Sequence, residues 1–182
     1  MDNREKILSA AEQLFAQQGF DSTTVDQVAQ QAGLTKGAVY YFYKNKADLF
    51  CRLVDPGLAY IEKHSRSVME DSREGDEKAL DLIDCFVDQA YQYERIVRIL
   101  LGSQPADPIM RRMFDERVKR LMRCVETLLY EGVTGNFLKP VSISLYARLI
   151  VGMIYGMIAL PDPPAKEDAV RSLQGVLRSL YR

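Results

Sequence analysis

Apolar residues recur every three or four positions along nearly the whole chain, the spacing of amphipathic helices. Ile7, Leu8, Ala11, Leu14 and Phe15 make one such face, and Gly19 follows, a residue type common at helix C-termini. Val25, Val28, Ala29 and Ala32 make a second, which starts after Thr24, and Thr24 with Gln27 fits a capping box. Gly33 closes that helix. Thr35 is a natural N-cap for a short third helix, and Asn45 for a fourth running from about Lys46 towards Met69. Asp55-Pro56-Gly57 falls inside the fourth. A proline there removes a hydrogen bond and clashes with the preceding turn, so a kink or a break is expected.

Helical periodicity continues after the polar stretch DSREGDEK. Leu80, Ile83, Phe86, Val87, Ala90 and Tyr91 mark one helix, Ile96 to Leu101 a short one, and Met110 to Leu129 a long one. EGVTGNFLKP reads as a loop, Val141 to Leu160 is apolar on almost every side, PDPP is a turn, and Ala169 to Tyr181 is a last amphipathic helix. No strand pattern competes. The expected fold is all-α, with a three-helix helix-turn-helix domain over residues 1–50 and a second helical domain over 51–182.

Composition narrows the function classes. The chain has 182 residues, 47% hydrophobic and 27% charged, ordinary for a globular protein. Three separated cysteines and one histidine, with no CxxC pair, make a disulfide framework or a metal site improbable. A glycine-rich phosphate loop is absent, so neither an enzyme nor a cofactor is expected. The N-terminus lacks an apolar signal core, and the longest apolar run, LIVGMIYGMIAL, is shorter than the ~20 residues of a membrane span. A cytoplasmic protein without membrane contact is expected.

Charge is not spread evenly. GLTKGAVYYFYKNK, residues 33–46, holds three lysines, three tyrosines, one phenylalanine and no acid, in a chain of net charge −1. At 100° per residue the third helix turns Val39, Phe42 and Tyr43 inward and Lys36, Gly37, Tyr40 and Tyr41 outward, with Ala38 on the border. That outer face suits DNA. Gly37 and Ala38 permit close approach, Lys36 can donate to guanine O6 and N7, and the tyrosines offer a hydroxyl to phosphate or a ring to sugar and thymine methyl. Lys44 and Lys46 follow where a helix-turn-helix crosses the sugar-phosphate backbone, and Thr24 begins a helix whose free N–H groups can hold a phosphate.

Residues 7–50, about a quarter of the chain, resemble the N-terminal domain of the TetR family of bacterial transcriptional regulators. The resemblance rests on Ala11, Leu14, Phe15, Gly19, Phe20, Thr24, Val28, Ala29, Ala32, Gly33, Thr35, Gly37, Val39, Tyr40, Tyr41, Tyr43 and Lys46; Phe42 stands where histidine is frequent. It implies that Thr35, Lys36, Gly37 and Tyr40 read bases and that Thr24, Ala38, Tyr41 and Lys46 contact the backbone. It further implies a double-stranded DNA operator, an unknown small-molecule effector, and a repressor released by that effector.

The remainder matches no specific pattern. Candidate pocket residues are Phe86, Tyr91, Met110, Met113, Phe114, Met122 and Tyr155, adaptable methionines and aromatics. A homodimer is expected through the last two helices, at Leu149, Gly152, Gly156, Val170, Leu173, Leu177 and Leu180, because an all-round apolar helix must be covered on every side. Arg111, Arg112, Arg117, Lys119, Arg120 and Arg123 crowd one helix, most simply as a solvated face, with an anionic ligand or an extra nucleic-acid contact as the other readings. The alternative function is an all-helical ligand-binding or redox-sensing module without operator binding.

Overall fold

The computed structural model describes residues 2–73, 75–102, 105–106, 108–136, 138–140 and 142–179, with the backbone alone at 76, 102 and 109. Among them the regular elements are helices: α1 (Asn3–Gln18), α2 (Val25–Ala32), α3 (Lys36–Phe42), α4 (Lys46–Met69), α5 (Gly75–Gln92), α6 (Glu94–Gly102), α7 (Pro108–Thr134), α8 (Ile143–Ala159) and α9 (Lys166–Arg178). The chain is all-α, as its periodicity requires. Two compact units emerge, one of Met1–Gly57 with Arg95–Val118, the other of Leu58–Glu94 with Lys119–Arg182.

The first unit is organised by aromatic rings. Phe15, Phe20 and Phe50 pack with centroids 5.2 to 6.3 Å apart, and Phe114 of α7 lies flat on Phe50 at 4.1 Å and edge-on to Phe20 at 5.3 Å. All four are buried. Each such pair contributes about 0.5–1.5 kcal/mol beyond the area it buries. Phe114, a pocket candidate in the sequence, is thus part of this core. Arg117 Nη2 donates to Asp55 at 3.0 Å, a second tie between α7 and α4 inside the unit.

The second unit packs α5 against α8 and α9. Leu82, Ile83, Phe86 and Val87 are buried from α5, Ala147, Ile150, Ile154 and Ile158 from α8, and Ala169, Leu173 and Leu177 from α9. Polar clamps rim this core. Gln174 donates to Asp84 at 2.8 Å, Lys166 pairs with Asp88 at 3.0 Å, and the Tyr91 hydroxyl donates to the Pro164 carbonyl at 2.9 Å.

Three expectations change. α4 is continuous, with Pro56 inside it. Pro56 is exposed, so its missing hydrogen bond faces water, while Val54, Leu58 and Ile61 are buried on either side of it and carry the helix through. α7 continues to Thr134, so the first residues of EGVTGNFLKP are helical. Leu173 and Leu177, expected at a dimer interface, are each only 2% exposed and belong to the protomer's own core. The helical period defined the α9 stripe correctly but not what covers it. Leu180 and Tyr181 lie outside the described residues.

Candidate nucleic-acid interface

The short arm from Thr24 to Lys46 is held by local bonds. The Thr24 hydroxyl accepts from Gln27 N at 3.2 Å while the Gln27 side chain accepts from Thr24 N at 2.8 Å, so two free donors at the start of α2 are satisfied reciprocally. Gly33 ends α2 in the left-handed region, φ 67° and ψ 31°, which costs a residue with a Cβ about 1–2 kcal/mol. Leu34 N then returns to the Ala29 carbonyl at 2.9 Å. Thr35 caps α3 by accepting from Ala38 N at 3.2 Å, which leaves the hydroxyl proton free to donate outward. Asn45 caps α4 through Asp48 N at 2.9 Å.

These caps fix the rotation of α3. Val39 and Tyr43 are buried, and the Tyr43 hydroxyl donates to the Arg4 carbonyl at 3.3 Å, tying α3 to α1. Phe42 is half-buried beneath the Arg4 guanidinium, 5.2 Å from its ring. Thr24, Thr35, Lys36, Gly37, Tyr40, Tyr41 and Lys44 are exposed and Ala38 is half-buried, and on α3 itself Lys36, Gly37, Tyr40 and Tyr41 share the outer side of the helix. Tyr41 is 83% exposed, although its ring meets Phe42 edge-on at 4.9 Å.

Two lysines are already engaged. The Lys36 ammonium sits 2.9 Å from Asp26, whose carboxylate raises the lysine's pKa. Asp26 was not singled out from the sequence. Opposite charges in the first turns of two helices joined by a tight turn were the available signal. The Lys46 ammonium donates to the carbonyls of Phe20 (2.7 Å) and Asp21 (3.1 Å) and lies 4.5 Å from the centre of the Phe20 ring. Burial lowers its pKa. Lys46 therefore clamps the turn after α1, a contact 26 residues away in sequence that periodicity does not reveal.

The other candidates fall elsewhere. Met110, Met113 and Phe114 belong to the first unit; Phe86, Tyr91, Met122 and Tyr155 belong to the second. Phe86 is buried core, and the remaining methionines and tyrosines are half-buried. Among the proposed dimer residues, Leu149 is 49% exposed, Val170 is half-buried, and a Cβ on Gly152 or Gly156 would meet nothing within 4 Å. Leu145, Leu160 and Val176 join Leu149 as exposed apolar side chains on or beside α8 and α9. Burial raises the pKa of the Cys51 and Cys124 thiols and pushes Cys85 up to about 12, so all three resist forming the reactive thiolate. Among the described residues no helix is long and apolar enough to cross a membrane.

Comparison with known proteins agrees with this geometry. Residues 7–53 match the family described as "Bacterial regulatory proteins, tetR family". The HTH-type transcriptional regulator LmrA of Bacillus subtilis is 36% identical over 170 residues, covering 90% of each chain. A putative fatty acid metabolism regulator of Clostridium perfringens superposes with a TM-score of 0.84 at 18% identity, over 96% of this chain and 97% of that one. FadR of Bacillus subtilis, solved in complex with stearoyl-CoA, superposes with a TM-score of 0.76 at 21% identity, over 96% and 97%.

Proposed function

Because the chain belongs to the TetR family of bacterial regulatory proteins, it is a DNA-binding transcriptional regulator rather than an enzyme, and we propose that it represses an operator as a homodimer and is released by a small-molecule effector. Residues 1–50 carry the DNA contacts and 51–182 the effector and dimer contacts. Thr35, Lys36, Gly37 and Tyr40 read base edges; Thr24, Ala38, Tyr41 and Lys44 meet the sugar-phosphate backbone, with Lys46 holding the arm's shape beside them. The protein acts in the cytoplasm, where its DNA is.

The observation that carries this reading is the outer face of α3. A lysine, a glycine and two exposed tyrosines share one strip on a helix whose rotation is locked by Thr35, Val39 and Tyr43. A single strip binds duplex DNA weakly, and two strips on a two-fold axis read half-sites about 34–36 Å apart or a multiple of that. The exposed Leu145, Leu149, Leu160 and Val176 support a second copy as the cover for α8 and α9, with Gly152 and Gly156 allowing close approach. The FadR complex with an acyl-CoA supports effector control within this fold. Burial of the thiols leaves the redox-sensing module without support.

Selection from random duplexes, followed by fluorescence anisotropy, tests the reading. A palindromic site should emerge, and Tyr40→Ala should lose about 1–3 kcal/mol on it while binding random DNA nearly as before. Recovery of no preferred sequence, or equal losses on all DNA, would remove base reading. Sedimentation showing a monomer at micromolar concentration would remove the dimer.

A further inference from the structure

The arginines of α7 are not among the DNA contacts proposed above, and the structure divides them. Arg117 is spent on Asp55, and Arg120 grips Glu62 of α4 with two hydrogen bonds of 2.9 and 2.8 Å that pull the Glu62 pKa down. Arg123 of α7 and Arg66 of α4 make no ion pair among the described residues, and both are exposed. They line one groove of 480 Å³ inside the second unit. That volume lies within the roughly 300–1,000 Å³ range of small-molecule sites.

The rest of the lining defines the ligand. Ser65 of α4 and Thr127 of α7 also line the groove. With Arg120 and Glu62 cancelling each other, Arg66 and Arg123 stand against the single carboxylate of Glu131, a positive balance. Met69, Leu128 and the Cys124 thiol, held neutral by burial, supply apolar wall beside the charges. Guanidinium groups bind carboxylate and phosphate oxygens through paired N–H donors. We propose that this α4–α7 groove binds an oxyanion-headed amphiphile, with its carboxylate or phosphate on Arg66 and Arg123 and its apolar stem along Met69 and Leu128. Its regulatory meaning rests on the effector response proposed above; its existence as a binding site does not.

Calorimetry on the full chain, without DNA, uses octanoate, octyl phosphate and 1-octanol as probes. At least one anion should bind and the alcohol should bind at least about tenfold more weakly, because a charge-assisted hydrogen bond is worth roughly that factor or more. The pair of arms shows whether the head is a carboxylate or a phosphate. Arg66→Gln with Arg123→Gln should weaken the anion about tenfold or more at an unchanged melting temperature, since both side chains are exposed. Failure of both anions to bind, equal binding of octanol, or wild-type affinity in the double variant would each overturn the site. A protein that binds an operator but no anion loses only this inference. One that binds an anion through these arginines but no operator loses only the DNA reading.

Discussion

The strip on α3 and the outer face of α8–α9 both expose large apolar side chains, yet they are built differently. Around α3, Thr24 and Thr35 both cap their helices through side-chain bonds, and Gly33 takes a left-handed turn between them. On the C-terminal pair, Ser142 and Ala165 make no side-chain cap. The exposed rings on α3 are tyrosines with a hydroxyl for water or phosphate; those on α8–α9 are leucines and valine with none. Capping fixes the aim of a short helix to within a rotamer, as reading base edges demands. Covering apolar area demands only that a stripe exist. The first surface is preorganised for a partner of fixed geometry, and the second is shaped by the amount it can bury.

The largest expected effect lies in the aromatic core of the unit that carries the preorganised surface. Phe114→Ala should cost about 3–5 kcal/mol in urea unfolding, because it empties the stack on Phe50 and the edge contact to Phe20. A double-mutant cycle with Phe50→Ala should show coupling of about 0.5–1.5 kcal/mol. Strict additivity would mean that the stack adds nothing to the stability of this unit.

On α9 and α8 the comparison can be broken directly. Leu173→Ala should cost about 2–5 kcal/mol at any protein concentration, since Leu173 is 2% exposed inside the protomer. Leu149→Ala should stay within about 0.5 kcal/mol for the monomer and instead raise the dimer's dissociation constant. Concentration-independent losses of equal size from both would show that α8 has no partner to lose.

The two surfaces also differed in how far the sequence exposed them. The caps at Thr24, Thr35 and Asn45, the turn at Gly33 and the outward set on α3 were legible because each depends on residues at most four positions away. Leu173 and Leu177 were misplaced because periodicity defines a face without saying which element meets it. Pro56 misled for the opposite reason: its local penalty is real, but buried Val54 and Leu58 on either side outweigh it. The second role of Lys46 and the groove at Arg66 and Arg123 were hidden, since both are made by residues far apart in the chain.

Lys44 and Lys46 sharpen the distinction between touching DNA and holding the part that touches it. Lys44→Ala should lower the slope of log K against log salt by about 1 and leave stability unchanged, as expected for one exposed phosphate contact. Lys46→Ala should cost about 1–2 kcal/mol of stability, because two carbonyls and the Phe20 ring lose a cation. A salt slope lowered by Lys46→Ala alone, with no change in unfolding, would return Lys46 to the phosphate.

The smallest effect is the most discriminating. Gly37 sits in the first turn of α3 with ordinary helical backbone, and a Cβ built there would meet only Thr35 Oγ1, at 3.9 Å. Among the described residues nothing requires glycine there. A glycine in a helix loses more backbone entropy on folding than alanine, by roughly 0.5–1 kcal/mol, so Gly37→Ala should stabilise the free protein by up to that amount. The one thing that a missing Cβ provides is room on the outer face. If α3 lies in the major groove against base edges, the added methyl pushes it away and Lys36 and Tyr40 lose their reach together. Operator affinity should therefore fall while the melting temperature rises, two changes of opposite sign from one methyl group. Anisotropy on the selected site and a thermal melt, run on the same preparation, check both. A variant that is more stable and binds the operator as tightly as wild type would show that α3 does not approach the DNA closely at its first turn, and the reading face would have to be moved towards Tyr40 and Tyr41.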